Sequence, residues 1–241
     1  MADFRRPAAA MADPVRVGLL DSGVGEDLAA HVGAAAAFRP HDEDGVDRGA
    51  AEPDRLGHGS ALAGIILAHA PDAVLLNAQV LGPRGTTSAA AVAAGLGWLV
   101  EEGADLITLS LGLRTDRAVL RDACAAAITK GCVLLGAAPA RGAPVYPAAY
   151  DGVIRVTGDA RCAVAQISHL ASAQADFGAC VRADDGAAPI AGSSVAVAHA
   201  CGLVAGAFGL GGARGGAAAR DVLVRRADFH GPERKTAADA G

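Results

Sequence analysis

A single α/β domain, with a mostly parallel sheet covered by helices on both faces, is what this sequence predicts, and three observations predict it. Short apolar runs with little internal alternation recur along the chain, as strands buried on both faces require. Between them lie alanine-rich stretches of helical length. The third observation is bulk: 241 residues, 52% hydrophobic and 20% charged, can bury a full core, which excludes a disordered chain. Aromatic residues make up only 3% while glycines number 32. Such a core is built from small and branched aliphatic side chains, which lets backbones approach closely.

Residues 1–14 read as a loose arm, 15–226 as one domain and 227–241 as a polar tail. Val15 to Leu20 is the first strand, ended by the turn glycines of Asp21-Ser-Gly-Val-Gly25. Residues 39–56, rich in Asp, Gly and Pro, read as an exposed loop. Ala61 to His69 is a helix stopped by Pro71, and Ala73 to Val80 is a second strand. Thr87 or Ser88 caps the helix that runs from Ala89 to Glu102. A strand over Asp105 to Ser110 precedes a helix over Asp116 to Lys130. Cys132 to Leu135 and Val153 to Val156 are two more short strands. A further helix spans Ser194 to Phe208, and Asp221 to Arg226 adds a last turn or two. Ala187 to Ala213 carries no Asp, Glu, Lys or Arg and has the length of a membrane span. Its Pro189, Ser193, Ser194 and His199, with few bulky apolar residues, fit a helix buried in protein better.

Charge and cysteine usage narrow the partners. With 21 basic against 26 acidic side chains the net charge is −5, the wrong sign to meet nucleic acid or an anionic membrane. The five cysteines form no CxxC pair and no zinc spacing. The N-terminal residues lack the unbroken apolar core of a secretory signal. Buried thiols in a reducing cytoplasm, and no metal, are the expectation. His41-Asp-Glu-Asp44 reads as a solvated charge run and not as a calcium loop.

Function in an open parallel sheet gathers in loops at the carboxyl ends of strands. Asp21 directly follows the first strand. His58 stands between two glycines, and Ser194 opens a small-residue helix in Gly192-Ser-Ser-Val-Ala196. Acid, imidazole and hydroxyl in the order Asp, His, Ser match one of the known chain orders of a hydrolytic triad. The chemistry needs these three types. A serine hydroxyl is a weak nucleophile until an imidazole takes its proton, and the carboxylate fixes the tautomer and stabilises the imidazolium. The helix N-terminus behind Ser194 offers N–H groups to a developing oxyanion.

These segments resemble the subtilisin-like serine proteases, or subtilases. Val17-Gly-Leu-Leu-Asp-Ser-Gly-Val24 is similar to the family's aspartate motif. Gly57-His-Gly-Ser-Ala-Leu-Ala-Gly-Ile65 is similar to its histidine motif, with Ser60 in place of the usual Thr. Gly192-Ser-Ser-Val-Ala-Val-Ala-His-Ala-Cys-Gly202 is similar to its serine motif, with Ala198 in place of Pro. Ala70 to Leu81, Asp105 to Gly112 and Tyr146-Pro-Ala-Ala-Tyr150 followed by Val153 to Val156 extend the likeness over residues 15–210. The resemblance implies a three-layer subtilisin-like fold. It also implies Asp21 as orienting acid, His58 as general base and Ser194 as nucleophile of a serine endopeptidase that needs no cofactor. Ser110, Leu111 and Gly112, with Gly136, Ala137 and Ala138, would line the channel in which a peptide or small protein adds as an extended strand.

One departure matters. The family places an Asn after the strand that precedes the Tyr-Pro-Ala region, where its side chain completes the oxyanion hole. Here Pro139 and Ala140 occupy that loop, and the only asparagine of the chain is Asn77. Ser193 together with the Ser194 N–H is the favoured replacement, and Arg141 and a group from the substrate are the other candidates. Compactness, the early first strand and the missing amide together resemble subtilases that trim leaders from modified peptides inside the cell. One such enzyme matures the small, cross-linked subunit of quinohemoprotein amine dehydrogenase. The rival reading is a pseudoprotease that keeps the triad and holds a peptide by strand addition without cutting it. A dinucleotide site at Gly23-Val-Gly25 fails at Leu28, and an α/β-hydrolase lacks room after Ser194 for its acid and histidine.

Overall fold

The computed structural model describes residues 13–41, 45–183 and 191–233. Six parallel strands form the middle of one ten-stranded sheet: β1 (Arg16–Asp21), β2 (Val32–His41), β4 (Val74–Gln79), β5 (Leu106–Leu109), β6 (Val133–Ala137) and β7 (Ile154–Gly158). Their spatial order is β7-β6-β5-β1-β4-β2. β3 (Gly45–Gly49) pairs antiparallel with β2 at one edge. At the other edge β9 (Phe177–Ala179) joins β7, followed by β8 (Ile167–His169) and β10 (Ala227–His230). The chain leaves β4 on one side of β1 and returns as β5 on the other, so the winding reverses at β1. That reversal opens a crevice at the carboxyl ends of the strands, beside Asp21.

Alternation along the strands feeds two cores. Val17 and Leu19 of β1 point into a layer shared with α1 (His58–His69), α4 (Ser193–Gly209) and α5 (Gly216–Arg225). Leu20 of β1, with Leu76 and Ile107, shares the second layer with Leu96, Trp98 and Leu99 of α2 (Ala89–Glu101) and Leu120, Cys124 and Ala127 of α3 (Ala118–Thr129). Each fully buried aliphatic side chain stabilises the fold by about 1.5–3 kcal/mol relative to exposure. The three-layer arrangement expected from the continuous apolar runs is therefore present, with helices on both faces.

Most elements lie where the sequence places them, and Ser88 is the cap of α2, accepting from the Ala91 N–H at 3.1 Å. Four expectations are corrected. The loop expected over 39–56 contains the end of β2 and all of β3. Alanine has low strand propensity, so Ala34 to Ala37 carry no strand signal, yet they pair in parallel with Leu76 to Gln79 of β4. Helix α1 begins at His58 and not at Ala61, because glycines flank the histidine and mask a helical start. The last helix, α5, runs ten residues, hidden in sequence by its glycine-rich approach. Residues 227–230, expected in the polar tail, form β10 against β8. Of the arm, the charge run and the tail, residues 1–12, 42–44 and 234–241 lie outside the described residues, as do 187–190 of the uncharged stretch. Among the described residues no helix is long and apolar enough to cross a membrane.

Candidate active site

Asp21 ends β1, where its backbone is still paired with Gln79 of β4 and its side chain enters the crevice. It is only 1% exposed. Its Oδ1 accepts the Ser22 N–H at 2.7 Å and faces Nδ1 of His58 at 2.8 Å. Among the described residues the buried Oδ2 has no hydrogen-bond partner. An acceptor-only carboxylate on Nδ1 holds that nitrogen as the donor, which leaves Nε2 of the neutral ring as a base.

His58 is the first residue of α1, entered through Gly57 in the left-handed conformation at φ 71°. The helix can start so close to β1 because its second residue is Gly59. A Cβ there would stand 2.2 Å from the Gly23 carbonyl oxygen. The Gly59 N–H donates to Ser22 Oγ at 2.9 Å, tying α1 to the residue that follows Asp21. The hydrogen bond to Asp21 raises the His58 pKa above the ordinary 6.5, burial works against it, and the negative charge of Asp21 adds to the rise.

Ser194 lies in the first turn of α4, whose residues Val195 to Ala205 are all buried. Its hydroxyl donates to the Ser110 carbonyl at 3.3 Å. The acid and the imidazole are thus joined, while the hydroxyl is turned to the strand end beside them. Ser193 donates to the Ala138 carbonyl at 2.7 Å, with Thr157 Oγ1 3.5 Å away. Arg141 is exposed, and among the described residues its guanidinium makes no hydrogen bond or ion pair.

Ser110, Leu111 and Gly112 line a groove of about 660 Å³ together with His58, Leu56, Leu81, Thr87 and Leu113. Its walls are mainly aliphatic, and the buried Ser110 Oγ and Thr87 Oγ1 in it have no hydrogen-bond partner among the described residues. Ala138 lines a smaller pocket of about 180 Å³ with Pro139, Val145 and Arg155. Gly136 and Ala137 are the last residues of β6, next to it. Leu56, in a loop without a motif, escapes a sequence reading, and Leu81 and Thr87 enter it only as the end of a strand segment and as a cap candidate. Asp54, which accepts hydrogen bonds from the start of α1, escapes it as one acid in a charged loop. Its signal is position, four residues before His58. Among the described residues no three of His, Cys, Asp and Glu gather as a metal cluster.

The subtilase family model matches residues 12–239. Subtilisin Savinase of Lederbergia lenta is 31% identical over 153 residues, 59% of this chain and 54% of that protein. The minor extracellular protease Epr of Bacillus subtilis (strain 168) is 29% identical over 157 residues, 59% of this chain and 23% of that protein. The chain spans about half or less of the length of these relatives. Among solved structures, the S41 psychrophilic protease superposes with a TM-score of 0.69 at 22% identity, covering 90% of this chain and 85% of that one. A cold-adapted subtilisin-like serine proteinase gives 0.68 at 21% identity, covering 94% and 85%. The match to the family model over nearly the whole chain and the shared fold converge on one conclusion: the chain belongs to the subtilase family.

Proposed function

We propose that the chain is a serine endopeptidase that cleaves a peptide bond through an acyl-enzyme at Ser194, as a dedicated leader-removing protease of the cytoplasm. The observation that carries this reading is the buried Asp21 carboxylate 2.8 Å from His58 Nδ1, in a crevice shared with the first turn of α4. A peptide enters as a strand along 110–112. Rotation of the Ser194 side chain away from the Ser110 carbonyl brings Oγ to His58 Nε2. Oγ then attacks the scissile carbonyl carbon while its proton passes to Nε2. The carbon–nitrogen bond breaks as that proton moves to the leaving amine. Water, deprotonated by the same imidazole, hydrolyses the ester and restores Ser194.

The oxyanion is the weak point. The Ser194 N–H lies in the first helical turn, where no intrahelical acceptor exists. Ser193, the favoured side-chain donor in the sequence, is engaged by the Ala138 carbonyl and must release it to help. In subtilisin itself, loss of the one amide donor costs about 100- to 1,000-fold in turnover. A slow enzyme suits one cut in one partner better than general digestion, and five reduced, buried thiols suit a reducing compartment.

The same missing donor, with Ser194 turned to Ser110, favours the second reading of a peptide-holding pseudoprotease. Intact-mass spectrometry after treatment with a fluorophosphonate separates the two. One adduct on the wild type and none on Ser194→Ala supports the protease. No adduct on folded wild type, with or without candidate leader peptides, supports the peptide holder.

A further inference from the structure

Helix α1 starts without a cap of its own: Gly57 at the N-cap has no side chain to accept from the first turn. Asp54 supplies what is missing. Its Oδ1 accepts the N–H groups of Leu56 and Gly57 at 3.0 and 2.9 Å. Its Oδ2 accepts the Ser60 N–H at 2.9 Å and the Ser60 hydroxyl at 2.6 Å. One carboxylate therefore holds the residues on both sides of His58.

The loop that carries Asp54 is itself clamped to the Asp21 turn. Buried Gln79 of β4 donates through Nε2 to the Ser22 carbonyl at 2.7 Å and to the Glu52 carbonyl at 3.0 Å. Its Oε1 accepts the Glu52 N–H and an Arg39 N–H, each at 2.9 Å. The amide thus ties Ser22, the residue after the acid, to the loop that leads into the imidazole.

We propose that Asp54 is a positioning residue for the Asp21–His58 pair: its carboxylate fixes the first turn of α1, sets where the imidazole stands, and adds a second negative charge favouring the imidazolium. That charge acts when Ser194 gives up its proton, so the kinetic part of the proposal rests on the protease reading. The charged groups acting on His58 are Asp21 on β1 and Asp54 on the loop before α1. Burial works to raise the Asp54 pKa, but the hydrogen bonds from Ser60, Ser22 and Gly57 together outweigh it and hold the carboxyl below its ordinary 3.8, so it stays ionised at neutral pH.

The test uses the full chain as wild type, Asp54→Asn, Asp54→Glu and Ser60→Ala. Two readouts are taken: the titration of His58 by carbon-detected NMR of labelled histidine, assigned by its loss in His58→Gln, and the rate of fluorophosphonate labelling of Ser194. For Asp54→Asn the His58 midpoint should fall by about half a unit and the labelling rate by about tenfold. Ser60→Ala keeps the charge, so the midpoint should hold while labelling slows by about two- to threefold. Asp54→Glu, the fallback if the Asn variant does not fold, should keep the midpoint and lose rate. A wild-type midpoint and rate in Asp54→Asn would overturn the proposal, as would a lowered melting temperature with both readouts unmoved. If the wild type itself does not label, the protease reading fails, and the NMR midpoint still decides the role of Asp54.

Discussion

Gly59→Ala should damage the site more than it damages the fold. The added methyl would stand 2.2 Å from the Gly23 carbonyl oxygen and 3.1 Å from the Gly23 nitrogen, both backbone atoms that cannot rotate away. Relief requires about 1 Å of movement between the start of α1 and the turn after Asp21, the two segments whose spacing sets the Asp21–His58 bond. Overpacking of this kind costs about 1–3 kcal/mol, and the better helix propensity of Ala returns up to about 1 kcal/mol. For a chain of this size the net is a fall in melting temperature of up to about 12 °C. A displacement of about 1 Å in a catalytic constellation costs on the order of 100-fold in rate. Gly64→Ala, on the same helix, is the control: a methyl there would meet nothing within 4 Å, so the propensity gain should appear alone as about 0.5–1 kcal/mol of stabilisation. Thermal unfolding and fluorophosphonate labelling of the three proteins decide the matter. A Gly59→Ala protein that labels at the wild-type rate would refute the claim that this contact sets the geometry of the pair.

Three further outcomes are expected, and a fourth concerns the core. The acid limb of the labelling rate should have its midpoint above 6.5, because the base must be neutral and Asp21 stabilises the imidazolium first of all; a midpoint at or below that value would count against the bond to Asp21. Stability should respond to pH with two opposite signs. The raised His58 pKa contributes below its unfolded value and is lost as pH climbs through the folded one. Asp54, Asp159 and Asp176, held below 3.8 by hydrogen bonds that outweigh burial, contribute above their unfolded values and lose that support as pH falls through the folded ones, which an acid titration followed by circular dichroism would trace. The thiols of Cys124 and Cys201 are pushed up to about 12 and that of Cys162 to about 11 by burial, so a disulfide reagent at neutral pH should find almost no thiol in the native protein and five after denaturation. Phe208→Ala, at a side chain 1% exposed between α4 and the sheet, should cost about 3–5 kcal/mol and lower the melting temperature by about 6–20 °C.

How much of this was legible in the sequence follows from what each residue contributes locally. The central parallel strands could be read because Val, Leu and Ile cluster in runs that only a two-sided core accepts. Asp21, His58 and Ser194 could be singled out as candidates because glycines and small residues mark the sharp turns beside each. The edge of the sheet could not. β2 is largely alanine, β8 and β9 have three residues each, and β10 contains Asp228 and His230, so pairing with neighbours decides their conformation where propensity does not. Asp54 and Gln79 stayed hidden for a related reason. Each acts through hydrogen bonds to backbone atoms, several of them distant in sequence, and a single acid or amide carries no pattern that spacing can reveal.

The composition and the chemistry are linked through the packing of α1 on α4. A chain with few aromatics and many alanines and glycines is short of bulky side chains, which by itself reduces the apolar area each residue can bury. What it gains is proximity. At Gly202 of α4 a methyl would already stand 2.9 Å from the His69 side chain and 3.0 Å from the Ile66 carbonyl, and at Gly206 one would stand 2.8 Å from the His69 carbonyl. The two helices therefore touch nearly backbone to backbone over the carboxyl-terminal half of α1. Dense interiors transmit small displacements, so a helix held at such short range has little freedom to tilt. His58 and Ser194 both sit at the N-termini of these two helices, above the same crevice, and the relative placement of imidazole and hydroxyl is fixed by how closely the helix bodies can lie. Larger side chains at the crossing would add buried area and stability in principle, yet they would push α4 away from α1 and carry Ser194 with it. The small-residue core is thus a geometric requirement of the site as much as a way of filling the interior.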